Sequence, residues 1–110
     1  MSNETRRFMR LMVFFDLPVS TAEQRRRAGQ FRRFLKIDGY DLIQWSVYGR
    51  VINGMDAVEK HLNRLAHNLP PEGSVRALQL TEKQFSSMQI LVGERRPQEK
   101  NVDARQLLLF

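Results

Sequence analysis

Apolar residues crowd into a few short blocks, and the spacing within each block points to an element. The first block is Phe8, Met9, Leu11, Met12, Val13, Phe14 and Phe15. It is aromatic-rich and stops at Asp16-Leu17-Pro18. Such a run predicts a strand that is apolar on both faces. Ser20 and Glu23 then form a capping-box pattern, opening a helix expected to run to about Asp38 and stop at Gly39. At about 100° per residue, Gln24, Ala28, Phe31, Phe34 and Leu35 share one side of it. Arg25, Arg26, Arg32, Arg33 and Lys36 spread over the opposite arc. Arg27 falls on the apolar side, where it can snorkel, pair with a carboxylate or meet a partner.

Leu42 to Tyr48 and Tyr48 to Ile52 predict two strands, with the turn between them undefined because no Asn-Gly separates them. Asp56 and Glu59 look like a second capping pair. Val58, Leu62, Leu65 and Leu69 then repeat as the stripe of an amphipathic helix, which Asn68 and Pro70-Pro71 end. Ser74 to Leu80 predicts a fourth strand, Thr81 to Phe85 a short helical turn, and Met88 to Val92 a fifth strand. Residues 93–105 are polar, and Gln106-Leu107-Leu108-Leu109-Phe110 follows them. The order is strand, helix, strand, strand, helix, strand. That is the α+β, ferredoxin-like βαββαβ plan. It assigns residues 1–92 to the domain and 93–110 to an extension with a terminal partner- or edge-pairing strand. Such a sheet has one face without helices. Because Leu11 to Phe15 stay apolar on both faces, a second copy of the chain is expected to cover part of it, giving a homodimer.

Composition narrows the picture. A chain of 110 residues with 42% hydrophobic and 27% charged residues is sized for one modest core and is not disordered throughout. No cysteine is present, which removes thiolate chemistry, disulfides and cysteine-based zinc sites. This fits a reducing compartment, and a cytoplasmic location is expected. No run reaches the roughly 20 apolar residues of a membrane span. The apolar run after Arg6-Arg7 is also too short for a signal-peptide core. The net charge is +6, and residues 1–36 hold nine of the 18 Lys/Arg but only three of the 12 Asp/Glu. Arginine forks suit phosphate, so the charge reads either as a polyanion surface or as a solvated basic face. Five phosphates held by Arg25, Arg26, Arg32, Arg33 and Lys36 would give a salt slope of about −4.5 on duplex DNA.

Asp16 is the most informative single residue. A carboxylate at a strand's carboxyl end can reach Mg²⁺, and twofold symmetry could bring two copies together. A metal so held can activate water for phosphodiester hydrolysis. The alternative is a turn-forming Asp ahead of Pro18. His61 and His67 point about 120° apart on one helix and cannot share a metal. No glycine-rich phosphate loop is present. Ser46 could touch phosphate, and Trp45 and Tyr48 could stack bases, but packing within the sheet is the expectation for both aromatics. The apolar residues Leu107, Leu108, Leu109 and Phe110 are expected to add a strand to an edge, in the same subunit, a twin or another protein.

Taken in order, Met9-Arg10-Leu11-Met12-Val13-Phe14-Phe15-Asp16-Leu17-Pro18, Phe31-Arg32-Arg33-Phe34-Leu35, Gln44-Trp45-Ser46-Val47-Tyr48, Gly73-Ser74-Val75-Arg76, Thr81-Glu82-Lys83-Gln84-Phe85 and Gly93-Glu94-Arg95 carry a resemblance. The chain resembles the CRISPR-associated protein 2 family, and looks most like members from type II systems. The resemblance implies a ferredoxin-like homodimer with Asp16 at the family's metal-binding aspartate. It implies a spacer-integration complex in which the dimer bridges dimers of the CRISPR-associated protein 1 integrase and supports double-stranded DNA. It also implies a possible metal-dependent endoribonuclease or DNase, with Asp16 catalytic, Mg²⁺ as cofactor and single-stranded RNA as a second nucleic-acid candidate. Hydrolysis is not expected to be needed for acquisition. A free-standing toxin-type ribonuclease is the competing reading.

Overall fold

Strand β1 (Phe8–Asp16) crosses the middle of a four-stranded antiparallel sheet, in a computed structural model that describes residues 8–94. The side chain of Asp56 lies outside that description. The other elements are α1 (Ala22–Ile37), β2 (Asp41–Gln44), β3 (Val47–Asn53), α2 (Asp56–Ala66), β4 (Ser74–Thr81) and α3 (Glu82–Ser86). The sheet order is β2-β3-β1-β4, the ferredoxin-like arrangement. Covered by α1 and α2 on one face and in part by α3 on the other, β1 can stay largely apolar on both faces, as its sequence requires.

Alternation along β1 divides the core. Met9, Leu11, Val13 and Phe15 face the helices and pack with Phe31 and Leu35 of α1, Tyr48 and Ile52 of β3, and Val58 and Leu65 of α2. Phe15 meets Phe31 edge-on at 5.2 Å and stacks on Tyr48 at 5.7 Å. On the other face, Met12 packs with Ile43 and Phe85, with Phe14, Val47 and Leu80 around them. Gly49 lies opposite Met12 in the ladder, and a Cβ there would sit 2.8 Å from its sulfur.

Thr21 rather than Ser20 caps α1. Its hydroxyl accepts from the Gln24 amide at 3.1 Å, and the Gln24 side chain accepts from the Thr21 amide at 3.0 Å. The same capping pattern recurs one residue later than expected, which leaves Glu23 free to face arginines. At the far end Gly39 donates to the Lys36 carbonyl and Tyr40 to that of Leu35, at 3.1 and 2.9 Å. This is a Schellman ending, and Gly39 takes the left-handed conformation it needs, with φ of 96°.

Three expectations fail. Met55, without a side-chain capping bond, begins α2, so the Asp56–Glu59 pair is not the cap. The helix ends at Ala66 and its buried stripe is Val58, His61 and Leu65, whereas Leu62 and Leu69 are exposed. Residues Met88–Val92 form no strand: α3 turns the chain away from the ladder, and Leu91 and Val92 remain exposed. Residues 95–110, including Leu107 to Phe110, lie outside the described residues. Among the described residues, no helix is long and apolar enough to cross a membrane.

Candidate functional site

The carboxyl end of β1 gathers the chemistry. Asp16 is exposed and pairs in the ladder with Ser74. On the other side the Phe15 amide donates to the Ser46 carbonyl at 3.1 Å, so the β2–β3 turn lies beside it. Ser46 holds φ of 66°, a left-handed conformation that costs a non-glycine residue about 1–2 kcal/mol. That reversal separates β2 from β3 without Asn-Gly. Gly73, with φ of 101°, closes the third side: a Cβ there would lie 2.8 Å from the Asp16 carbonyl oxygen. Ladder pairing with Phe14 puts Arg76 on the same sheet face as Asp16.

Among the described residues, no three His, Cys, Asp or Glu side chains form a metal-binding group. Asp16 by itself supplies at most two of the six oxygens that Mg²⁺ takes. Among the described residues of one copy, Asp16 therefore leaves at least four Mg²⁺ positions to water, phosphate oxygens or a second copy.

The β2–β3 turn corrects one expectation. Tyr48 is buried and packs the core, but Trp45 is 73% exposed. The Arg32 guanidinium lies 4.7 Å from the centre of its ring, a cation–π contact. The sequence placed Trp45 inside the first of two strands, Leu42 to Tyr48, and left the turn between them undefined; it falls at Trp45-Ser46.

On α1 the five expected cations do different work. Arg25 donates to the carbonyls of Val19 and Ser20 at 3.0 and 3.3 Å, bracing the loop after β1. Arg26 and Arg27 both pair with Glu23, the latter at 3.0 Å. Those arginines, Arg26 first through its hydrogen bond, hold the Glu23 carboxyl below its ordinary pKa. Arg32 backs Trp45. Arg33 and Lys36 are exposed and have no ion pair among the described residues.

Two buried polar sites were not legible. Arg10, 2% exposed, forms a fork with both carboxylate oxygens of Glu82 at 2.8 and 3.2 Å. Its guanidinium also lies 4.3 Å from the centre of the Phe85 ring, so α3 is fixed to the sheet by charge and ring together. Behind the helices, Asp38 accepts from Arg64 at 3.0 Å, and Arg50 donates to the Asp38 carbonyl. His61 Nδ1 is 3.5 Å from Asp38 Oδ2, and both atoms are shielded from water. Burial, aided by the nearby Arg50, lowers the His61 pKa against the pull of Asp38. Burial raises Tyr40 to about 12. This cluster lies where α1 ends against α2, and it reads as a clamp.

A ferredoxin-like sheet with a lone carboxylate at the end of β1 and a basic first helix defines the class. Residues 9–88 match the family model described as CRISPR associated protein Cas2. The chain is 61% identical over 102 residues to the CRISPR-associated endoribonuclease Cas2 of Acidovorax ebreus, covering 93% of this chain and all of that protein. The likewise named protein of Ligilactobacillus salivarius is 41% identical over 101 residues, covering 92% of this chain and all of its own. That of Treponema denticola is 39% identical over 101 residues, with the same coverage of 92% and 100%. The chain belongs to the CRISPR-associated Cas2 family.

Proposed function

We propose that this chain is a structural subunit of the CRISPR spacer-integration complex. It acts as a homodimer that bridges integrase dimers and holds duplex DNA. The observation that carries this reading is the outward arc of α1, where Arg33 and Lys36 stand exposed without carboxylate partners among the described residues. Contacts of that kind position a duplex without reading its sequence. The half-exposed Leu78, on the sheet face opposite α1 and α2, supports pairing with a second copy. The test is duplex binding and spacer acquisition with Arg33→Glu and Lys36→Glu. Both should weaken. If neither changes, α1 is not the DNA surface. Deleting residues 106–110 and pulling down the integrase tests the apolar tail: lost binding assigns Leu107 to Phe110 to the partner, and retained binding returns them to the fold.

The printed name of the relatives favours a second reading, an endonuclease acting on RNA or DNA. Asp16 of one copy leaves most of the Mg²⁺ shell open, and this reading has two Asp16 carboxylates, brought together by the dimer, hold the ion. Asp16→Ala and EDTA treatment should each abolish cleavage, while acquisition survives Asp16→Ala. Cleavage that persists through both belongs to a contaminant.

A further inference from the structure

We infer that Trp45, backed by Arg32, is a stacking platform for an unpaired nucleobase at the Asp16 end of the sheet. The inference rests on the nucleic-acid reading above and gives it a preferred substrate form. Trp45 is 73% exposed at the tip of the β2–β3 turn. An indole offers a large, flat apolar surface suited to stacking, and here the fold leaves most of it in water. The turn is not a loose end. The Phe15 amide ties it to β1 at 3.1 Å through the Ser46 carbonyl, and Ser46 holds a left-handed backbone there.

Arg32 prepares the ring. Its guanidinium lies 4.7 Å from the ring centre, and its Nε, shielded from water, has no hydrogen-bond acceptor among the described residues. The indole contact therefore holds the guanidinium in place. One ring face is engaged and the rest stays open, with a cation beside it. Arg33 and Lys36 on the same helix add positive charge for a phosphate backbone. Stacking plus local cations is the pattern by which proteins hold single-stranded nucleic acid. A base inside a duplex has both faces covered by its neighbours. The platform therefore takes a base from a single strand, an overhang or a frayed end, delivered next to the exposed Asp16 carboxylate.

Trp45 is the only tryptophan in the chain, so emission excited selectively at tryptophan reports this site alone. The full chain is titrated with a dye-labelled single-stranded oligonucleotide, the same sequence as a blunt duplex, and that duplex with a short overhang. Anisotropy follows binding and tryptophan emission follows stacking. The single strand and the overhang should quench Trp45, and the blunt duplex should not. Trp45→Ala should weaken single-strand binding about tenfold to a hundredfold and leave blunt-duplex binding within about twofold. Trp45→Phe should keep most of the affinity, and circular dichroism confirms that both variants fold. Single-strand binding without quenching overturns the platform and leaves the nucleic-acid reading standing. Failure of every oligonucleotide to bind overturns both. Emission that changes with protein concentration alone assigns the ring to a contact with a second copy and also overturns the platform.

Discussion

Phe85 of α3 decides how much of the sheet face opposite α1 and α2 is open to a partner. Its ring is fully buried against Met12 and Ile43, and Arg10 lies 4.3 Å from its centre. Phe85→Ala removes a whole aromatic side chain from water-free surroundings. Transfer alone accounts for about 1.5–3 kcal/mol. The unfilled space raises the total to about 3–5 kcal/mol. Loss of the ring under Arg10 keeps the cost at the upper end. With a urea dependence of about 1.5 kcal/mol per molar, the midpoint should fall by about 2–3 M. Phe85→Leu retains apolar volume and should cost less than about 1.5 kcal/mol, so a usable variant remains if the alanine protein does not fold. Leu78→Ala, on the same face but 49% exposed, should cost no more than about 1 kcal/mol. Denaturation at several protein concentrations separates folding from self-association. A Phe85→Ala cost below about 1 kcal/mol would refute the reasoning. It would mean that α3 is not seated in solution and that the whole sheet face is available to a partner.

His61 should make stability depend on pH. Its pKa is lowered in the fold, so the unfolded chain takes up the proton first and stability is lost as pH falls below the ordinary value of 6.5. Urea midpoints of the native protein should drop from about pH 7.5 to pH 5 relative to His61→Leu, and a pH-independent difference between the two would refute this. Gly73→Ala should cost about 1–3 kcal/mol, because its φ of 101° suits glycine and the new Cβ would meet the Asp16 carbonyl at 2.8 Å. Gly54→Ala, with φ of 96° and open space around it, carries only the backbone part, so equal melting shifts for the two would dismiss the close approach at Asp16.

Patterns that depend on one element were legible in the sequence. The double-sided burial of β1, the apolar stripe of α1 and its stop at Gly39 follow from local spacing. So does the sheet, because the order strand, helix, strand, strand, helix, strand leaves few ways to pair. Features that depend on two distant elements were not legible. Nothing in Met9-Arg10-Leu11 says that Glu82 waits on α3, 72 residues later. Asp38 read as a helix end and His61 only as one of two histidines unable to share a metal, yet both sit in one clamp with Arg64. The fifth strand failed for a related reason. Met88-Gln89-Ile90-Leu91-Val92 has strand composition, but composition does not supply a ladder partner. Trp45 was misjudged because a single left-handed residue, Ser46, turned an apparent strand interior into an exposed tip.

The clamp, the fork at Glu82 and the loop brace also change what the basic composition means. A net charge of +6 suggested five phosphate contacts along α1. The fold uses two of those five, Arg25 and Arg26, internally, and Arg27 beside them. Arg25 holds the loop after β1, and Arg26 and Arg27 share Glu23. Pulling them onto phosphate would first break those contacts. The cations ready for a backbone are Arg33 and Lys36, with Arg32 beside Trp45. Two or three contacts per copy give a salt slope on duplex DNA of about −1.8 to −2.7, well short of −4.5. Measuring log K against log salt for the blunt duplex distinguishes the two cases, once binding is expressed per copy. A slope near −4.5 would mean that Glu23 gives up its arginines on binding, and Glu23→Gln would then strengthen the complex. A slope near −2 with no response to Glu23→Gln would place the duplex over the second half of α1, on the side nearest Trp45.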